Sequence, residues 1–446
     1  VILIDGCAIA TVDAAGREHA EGWLLIEGAR IVALGPGAPP PLPAGGRRIN
    51  GRGCLATPGF INCHHHLVQW ATRGYAQDGT LFEWLTTLYP LWARMDEEVV
   101  YGAARAGLAT LALSGCSTST DHHYLHPPGS GDLLGAAIRA ARELGLRFHP
   151  GRGSMDLGRS AGGLPPDEVV EDRDTVLAAT EAAITRWHDP SPGSMLRIAV
   201  SPCSPFTVSG ALMRESAELA RRHGVRMHTH LAETKDEEDF CREHFGMRPA
   251  EYLDDLGWLA PDVWLAHCVH LSPQEVTRLA EAGVGVAHCP SSNGRLGSGI
   301  APVSDLVAAG AAVGLGVDGA ASNESAEMSV ELREALLMAR ARGGPQALTT
   351  RQALALATIH GARCLGREDD IGSLEPGKCA DVALWRLDGL GHAGIADSVA
   401  ALVLGTPGRP DTLLVNGRVV VQDHVLQTAD EHDIVRGLAE ASRRMA

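Results

Sequence analysis

The chain has almost no lysine: Lys235 and Lys378 are the only two, so arginine carries nearly all of its positive charge. Positive charge is itself in deficit, with a formal net charge of −16 at pH 7 over 446 residues. That balance excludes a general nucleic-acid binder, whose phosphate contacts need a basic footprint. No apolar stretch approaches the roughly 20 uninterrupted residues of a membrane span, and no basic, then apolar, then small-residue signal pattern opens the sequence. A cytoplasmic protein acting on a small uncharged or weakly acidic molecule is expected. Ten cysteines occur without a single Cys-x-x-Cys pair, which favours free thiols over a disulfide framework. The glycine-rich Gly294-Arg295-Leu296-Gly297-Ser298-Gly299 segment lacks the Gly-Lys-Ser/Thr ending of a phosphate loop and is read as a turn.

What the sequence does contain falls into two rhythms. Near both ends, short apolar runs alternate with glycine and proline: Val1–Ile4, Gly22–Gly28 and Arg30–Gly35, then Ala380–Trp385 and Thr412–Val421. The Asn416-Gly417 pair between two apolar runs is a strong hairpin signal. A small β-sandwich domain built from residues 1–55 and 370–446 is expected. Between them, eight β-rich runs recur at 55–62, 116–121, 146–149, 196–200, 225–229, 263–266, 284–287 and 312–317, separated by stretches of helical period such as 134–146 and 212–223. Eight such units over 56–369 predict a (β/α)8 TIM-like barrel, whose chemistry gathers at the C-terminal ends of its strands. An open doubly wound sheet is the alternative, but no Gly-x-Gly-x-x-Gly follows the first strand.

The chemistry-bearing residues cluster at those predicted strand ends. Asn62-Cys63-His64-His65-His66 closes the first strand, His228-Thr229-His230-Leu231-Ala232-Glu233 the fifth, His267-Cys268-Val269-His270 the sixth and Asp318-Gly319 the eighth. Alternation along an extended chain puts His64 and His66 on one side and His65 on the other. His64, His66, His230 and Asp318 are therefore expected to share one divalent metal, zinc or alternatively iron, leaving room for a water whose pKa the metal lowers toward neutrality. Glu233 is expected as the acid-base group, with Asp318 and His267 completing the proton-transfer set. An ordinary barrel histidine is the plainer reading of His267, and packing or supporting roles are the readings of His228 and His270. The loop after the first strand holds Trp70, Tyr75, Phe82, Trp84, Tyr89 and Trp92, an aromatic set suited to a flat heterocycle. Gln69 and Arg152 are expected to contact that substrate through a ring edge and a carbonyl or ring nitrogen.

Together, Asn62-x-His64-x-His66, His230-x-x-Glu233, His267-Cys268-Val269-His270 and Val317-Asp318-Gly319-x-x-Ser322-Asn323 resemble the amidohydrolase superfamily, specifically its mononuclear aminohydrolase branch. The resemblance covers nearly the whole chain, including Ile371–Asp381, and implies the same ligand and proton-transfer residues. It also gives the lysine shortage a meaning: dinuclear members bridge two metals through a carbamylated lysine after the fourth strand, and no lysine precedes residue 235. The fourth strand instead runs into Ser201-Pro202-Cys203-Ser204-Pro205. Nucleoside-acting members of the branch look to carry a carboxylate at the position of Phe82 and a histidine at that of Cys203. A free base is therefore expected as substrate, with Trp84 and Cys203 at its wall. Stretches 88–94, 121–125, 152–155, 201–206 and 292–299 look most like the deaminases that convert the purine 8-oxoguanine to urate and ammonia. Pterin deaminases acting on isoxanthopterin and triazine amino- or chlorohydrolases resemble the chain less closely, and a cyclic-amide hydrolase less still. A homo-oligomer is compatible with the resemblance.

Overall fold

The computed structural model describes residues 1–446. Its centre is a closed barrel of eight parallel strands. These are β1 (Phe60–Asn62), β2 (Cys116–His123), β3 (Arg147–Ser154), β4 (Ala199–Pro202), β5 (Met227–Leu231), β6 (Val263–His267), β7 (Gly285–His288) and β8 (Ala312–Leu315). Closure runs through β8 and β1, where Leu315 pairs with Asn62. Just beyond this seam Asp318–Gly319 pairs in parallel with His65–His66, joining two segments that carry candidate ligands.

The crossover helices follow local chain chemistry. Leu133–Leu144 starts on Asp132, whose carboxylate accepts from Gly135 N–H, and stops at Gly145 in the left-handed region. Gly210–His223 is delimited the same way by Ser209 and Gly224. Two more helices run over Pro273–Glu281 and Val303–Ala308.

The two chain ends meet in one nine-stranded mixed sheet. Within it, Cys54–Pro58 lies between Ile2–Ala10 and Val382–Arg386. The predicted hairpin is present, with Asn416 at φ 52° and Gly417 at φ 76° between Thr412–Val415 and Arg418–Gln422. One expectation is corrected. The run 55–62 is not a single barrel strand: it breaks at Gly59, with Cys54–Pro58 in the terminal sheet and β1 beginning at Phe60. At this junction the sheet and barrel pack closely, since a Cβ on Gly59 would stand 2.5 Å from Ser117 Oγ. The sequence reading also left unassigned the helix Glu431–Met445, which packs on the barrel helix Glu97–Leu113.

Sheet and barrel share one core of 102 buried residues, which includes Leu413, Val420 and Met445 beside barrel residues such as Val286 and Leu315. Two contacts pin the junction. Trp385 stacks on Phe60 at 4.9 Å and donates through Nε1 to Thr57 Oγ1 at 2.9 Å. Arg147, at the start of β3, forks onto Asp381 with two 3.2 Å hydrogen bonds, both side chains being buried. A buried pair need not outperform an apolar pair, but removing one partner strands a desolvated charge at a cost of about 3–5 kcal/mol. Asp381→Ala is expected to destabilise the protein by about that amount in chemical denaturation. A change under about 1 kcal/mol would show that solvent reaches Arg147 once Asp381 is gone.

Candidate active site

Three histidines at the barrel mouth have their tautomers set by hydrogen bonds on the far side of each ring. His66 Nδ1 lies 2.7 Å from the His122 carbonyl and His230 Nδ1 lies 2.6 Å from the Cys203 carbonyl, so both must donate there. His228 Nδ1 donates to the Trp264 carbonyl at 2.8 Å, which leaves its Nε2 to accept from His64 Nδ1, also at 2.8 Å. The rings of His64, His66 and His230 are thereby each left with a bare Nε2 lone pair facing inward. His66 Nε2 and His230 Nε2 stand 3.1 Å apart with no proton to share. His64 Nε2 is buried without a hydrogen-bond partner, although Asp318 Oδ1 lies 3.2 Å away.

Asp318 supplies the fourth donor. Its Oδ1 is also 3.3 Å from His66 Nε2, while Oδ2 accepts from Ser292 Oγ at 2.5 Å and Ser322 Oγ at 3.1 Å. Donor atoms of His64, His230, His267 and Asp318 lie within 4.8 Å of one another, as do those of His64, His66, His122 and His230. Burial holds the imidazoles of His64 and His230 well below the usual histidine range, which keeps their lone pairs free. Facing lone pairs and a carboxylate repel unless a cation lies among them. The donor set of nitrogens and one carboxylate suits a divalent metal of borderline softness.

Glu233 and His267 stand beside this cluster, with His267 Nε2 3.7 Å from Glu233 Oε2. Burial pushes the Glu233 carboxyl up to about 7, against the pull of the facing His267. Burial opposes the charged form of His267 too, but the Glu233 and Asp318 carboxylates outweigh it and raise its pKa. Nδ1 of His267 contacts Asn293 Oδ1 at 3.0 Å, which turns Nε2 toward the cavity. Glu233 is held from behind by Glu237, whose carboxylate accepts the N–H groups of Ala232 and Glu233 at 2.9 and 2.8 Å. Ala232, His267, Cys268 and Asp318 all adopt positive φ, between 50° and 71°. Such conformations cost non-glycine residues about 1–3 kcal/mol and persist where surrounding contacts over-determine them.

The expected substrate contacts divide. Gln69, Trp84 and Cys203 line the cavity above the donors, together with Leu81, Tyr89, Tyr124 and Phe206. Gln69 Oε1 is buried and unpartnered, and its amide lies 1.7 Å from where a Cβ on Gly319 would be, so only glycine fits there. Trp84 is fixed by donating to the Ala321 carbonyl at 3.1 Å, and the Cys203 thiol is pushed by burial up to about 12 and is therefore protonated. Arg152 is not brought to the cavity. Glu171 captures its guanidinium in a two-pronged ion pair at 2.7 and 2.8 Å, and it lines a separate cavity with His126 and Asp132. Of the six aromatics after β1, Trp84 and Tyr89 line the cavity, whereas Trp92 is tied to Thr72 and Tyr75 is exposed. His122, Asn293, Ser292 and Glu237 received no role from the sequence. For Glu237 the signal was available, since Thr234-Lys235-Asp236-Glu237 has the pattern in which a glutamate at the third helical position reaches back to backbone N–H groups ahead of the helix.

A model of the Amidohydrolase family matches residues 55–420. The 8-oxoguanine deaminase of Pseudomonas aeruginosa strain PAO1 is 48% identical over 414 residues, covering 92% of each chain. An isoxanthopterin deaminase from an unknown prokaryotic organism is 38% identical, over 95% of this chain and 90% of the relative. Among solved structures, atrazine chlorohydrolase from Arthrobacter aurescens TC1, complexed with zinc, superposes with a TM-score of 0.94 at 36% identity, over 99% of this chain and 100% of that one. No helix is long and apolar enough to cross a membrane. A parallel barrel with buried imidazoles and a carboxylate at its mouth, matched by relatives over almost its full length, has one family placement: the chain belongs to the amidohydrolase family and is a metal-dependent hydrolase of C–N bonds.

Proposed function

We propose that the protein deaminates 8-oxoguanine, releasing urate and ammonia. The observation that carries this reading is the placement of Glu233 beside three bare imidazole nitrogens and Asp318, under a flat aromatic-walled cavity. Support for the purine comes from the 48% identity with the Pseudomonas aeruginosa enzyme. It comes also from the cavity lining, in which Glu233 and Asp318 are the only carboxylates and Phe82 packs against Phe206 at 5.1 Å. A nucleoside would find no third acid to receive its ribose hydroxyls.

His64, His66, His230 and Asp318 would hold one divalent ion, with zinc favoured by the chemistry of the donors and iron(II) also compatible. When bound, such an ion supplies positive charge that lowers the pKa of water toward neutrality and polarises the group under attack. Asp318 Oδ1 is placed to receive the attacking water's proton, and the hydroxyls of Ser292 and Ser322 hold the carboxylate in that orientation. Glu233, whose carboxyl is pushed by burial up to about 7 and so can carry a proton at neutral pH, delivers it to the ring nitrogen next to the amino-bearing carbon. His267 presents Nε2 to the same side and stabilises negative charge developing on the oxygen. As the exocyclic C–N bond breaks, the one proton held by Asp318 passes to the departing amino group to give ammonia, and the remaining hydroxyl proton returns to Glu233 as the carbonyl forms. Gln69, with its free carbonyl oxygen, reads a ring-edge N–H; Trp84 and Tyr89 wall the plane of the ring. Arg152, locked to Glu171, takes no part in this scheme.

Two outcomes are expected. Glu233→Gln should lower kcat by about 10²- to 10⁴-fold while leaving metal content, measured by elemental analysis, at the wild-type level; undiminished turnover would remove Glu233 from proton transfer. Metal-replete protein offered 8-oxoguanine, guanine, isocytosine and isoxanthopterin side by side should release ammonia fastest from 8-oxoguanine. Preference for isoxanthopterin would reassign the substrate, and ring opening without ammonia would reassign the reaction.

A further inference from the structure

At the opposite end of the barrel, where β3 to β6 begin, the chain forms an open cavity of ≈ 410 Å³ lined by His149, Arg197, Arg221, Arg226 and Asp262. These are the N-terminal ends of the strands, remote along the barrel axis from His64, His230 and Asp318. Most of the carboxylates here are engaged. Asp262 is taken by Arg221 at 3.0 Å and Asp381 by Arg147, and Asp370 lies 3.6 Å from both Arg197 and Arg367.

The remaining donors are not matched. The Nε of Arg226 is buried with no hydrogen-bond partner, and Glu368 and Asp262 act on this guanidinium only through space. His149 is 1% exposed, and neither of its ring nitrogens has a partner. Just behind it, Arg367 is equally buried and leaves Nε and Nη1 unpartnered, its Nη2 alone donating to the Ser194 carbonyl at 2.8 Å. The contacts of Arg197 with the carbonyls of Pro190, Ser191 and Gly366 are long, at 3.4 to 3.5 Å. Buried polar groups are almost always satisfied, so the unpartnered nitrogens of Arg226 and His149, two residues that line one cavity, call for an acceptor. Guanidinium groups present paired N–H donors matched to oxyanions, and a recessed site of one sign strengthens the attraction.

We propose that this cavity is a binding site for a small, multiply charged oxyanion, with Arg226 and His149 as its inner contacts and Arg197 at its rim. Bound there, the anion bridges residues at the starts of β3, β4 and β5. Burial and the surrounding guanidiniums keep the His149 imidazole neutral, so it contributes one N–H rather than a charge.

The test uses the full-length, metal-loaded protein, titrated calorimetrically with inorganic phosphate at constant ionic strength, with chloride as the reference salt and citrate as the carboxylate arm. One saturable site per chain and a higher thermal midpoint in phosphate than in chloride are expected. Phosphate binding should weaken at least tenfold in Arg226→Gln and less in Arg226→Lys, and remain unchanged in Glu233→Gln. Turnover of Arg226→Gln without phosphate should match wild type, which shows that the variant folds; Arg197→Gln provides a second variant at the rim. Stronger binding of citrate than of phosphate would assign the site to carboxylates. Absence of saturable binding by either anion, binding indifferent to both arginine substitutions, or binding lost when the metal is stripped would overturn the proposal.

Discussion

The organising constraint of this molecule is an electrostatic conflict built into the barrel mouth. Three imidazole nitrogens without protons and one carboxylate oxygen are pressed together in a water-poor site, and nothing in the chain neutralises them. Their mutual repulsion is tolerable only with a cation at the centre, so fold and metal requirement are two sides of one arrangement. Positive φ at Ala232, His267, Cys268 and Asp318 belongs to the same bargain, because those backbone turns aim the side chains inward.

The conflict is maintained by the register of the sheet rather than by the ligands alone. Each of the three rings is oriented by an acceptor on a neighbouring segment: the His122 carbonyl on β2 for His66, the Cys203 carbonyl just after β4 for His230, and the Trp264 carbonyl on β6, acting through His228, for His64. Main-chain carbonyls do not titrate and move only with their strands. A shift of one residue in any of these ladders would turn an acceptor away and let a proton migrate to the inward-facing nitrogen. Glu237 does for Glu233 what the carbonyls do for the histidines, gripping the backbone of the residue proposed to move protons.

The sequence disclosed the parts of this design that recur at short range. His64 and His66 were legible from spacing, the eight strands from apolar runs, and His230, Glu233, His267 and Asp318 from their positions at strand ends. What it hid depends on distant partners. Arg152 reads as a free cation until Glu171, nineteen residues on, closes over it. His122 lies in Cys116-Ser117-Thr118-Ser119-Thr120-Asp121-His122-His123, a strand whose polar residues gave no apolar alternation although every one is buried. The break at Gly59 was concealed inside continuous apolar sequence. The helix Glu431–Met445 went unread because strand-like runs dominated the terminal segment.

The seam between the terminal sheet and the barrel also sets a timetable for synthesis. Thr57 and Trp385, hydrogen-bonded across it, are 328 residues apart in the chain. At roughly 5–20 residues per second, the strand Cys54–Pro58 emerges from the ribosome about 15–65 s before Val382–Arg386 exists to cover it. During that interval one edge of the strand is bare, and Phe60 lacks the indole that later shields it. The nascent chain therefore carries an unpaired β edge through most of its synthesis, and a message truncated before the codon for Ala380 encodes a barrel that is never sealed.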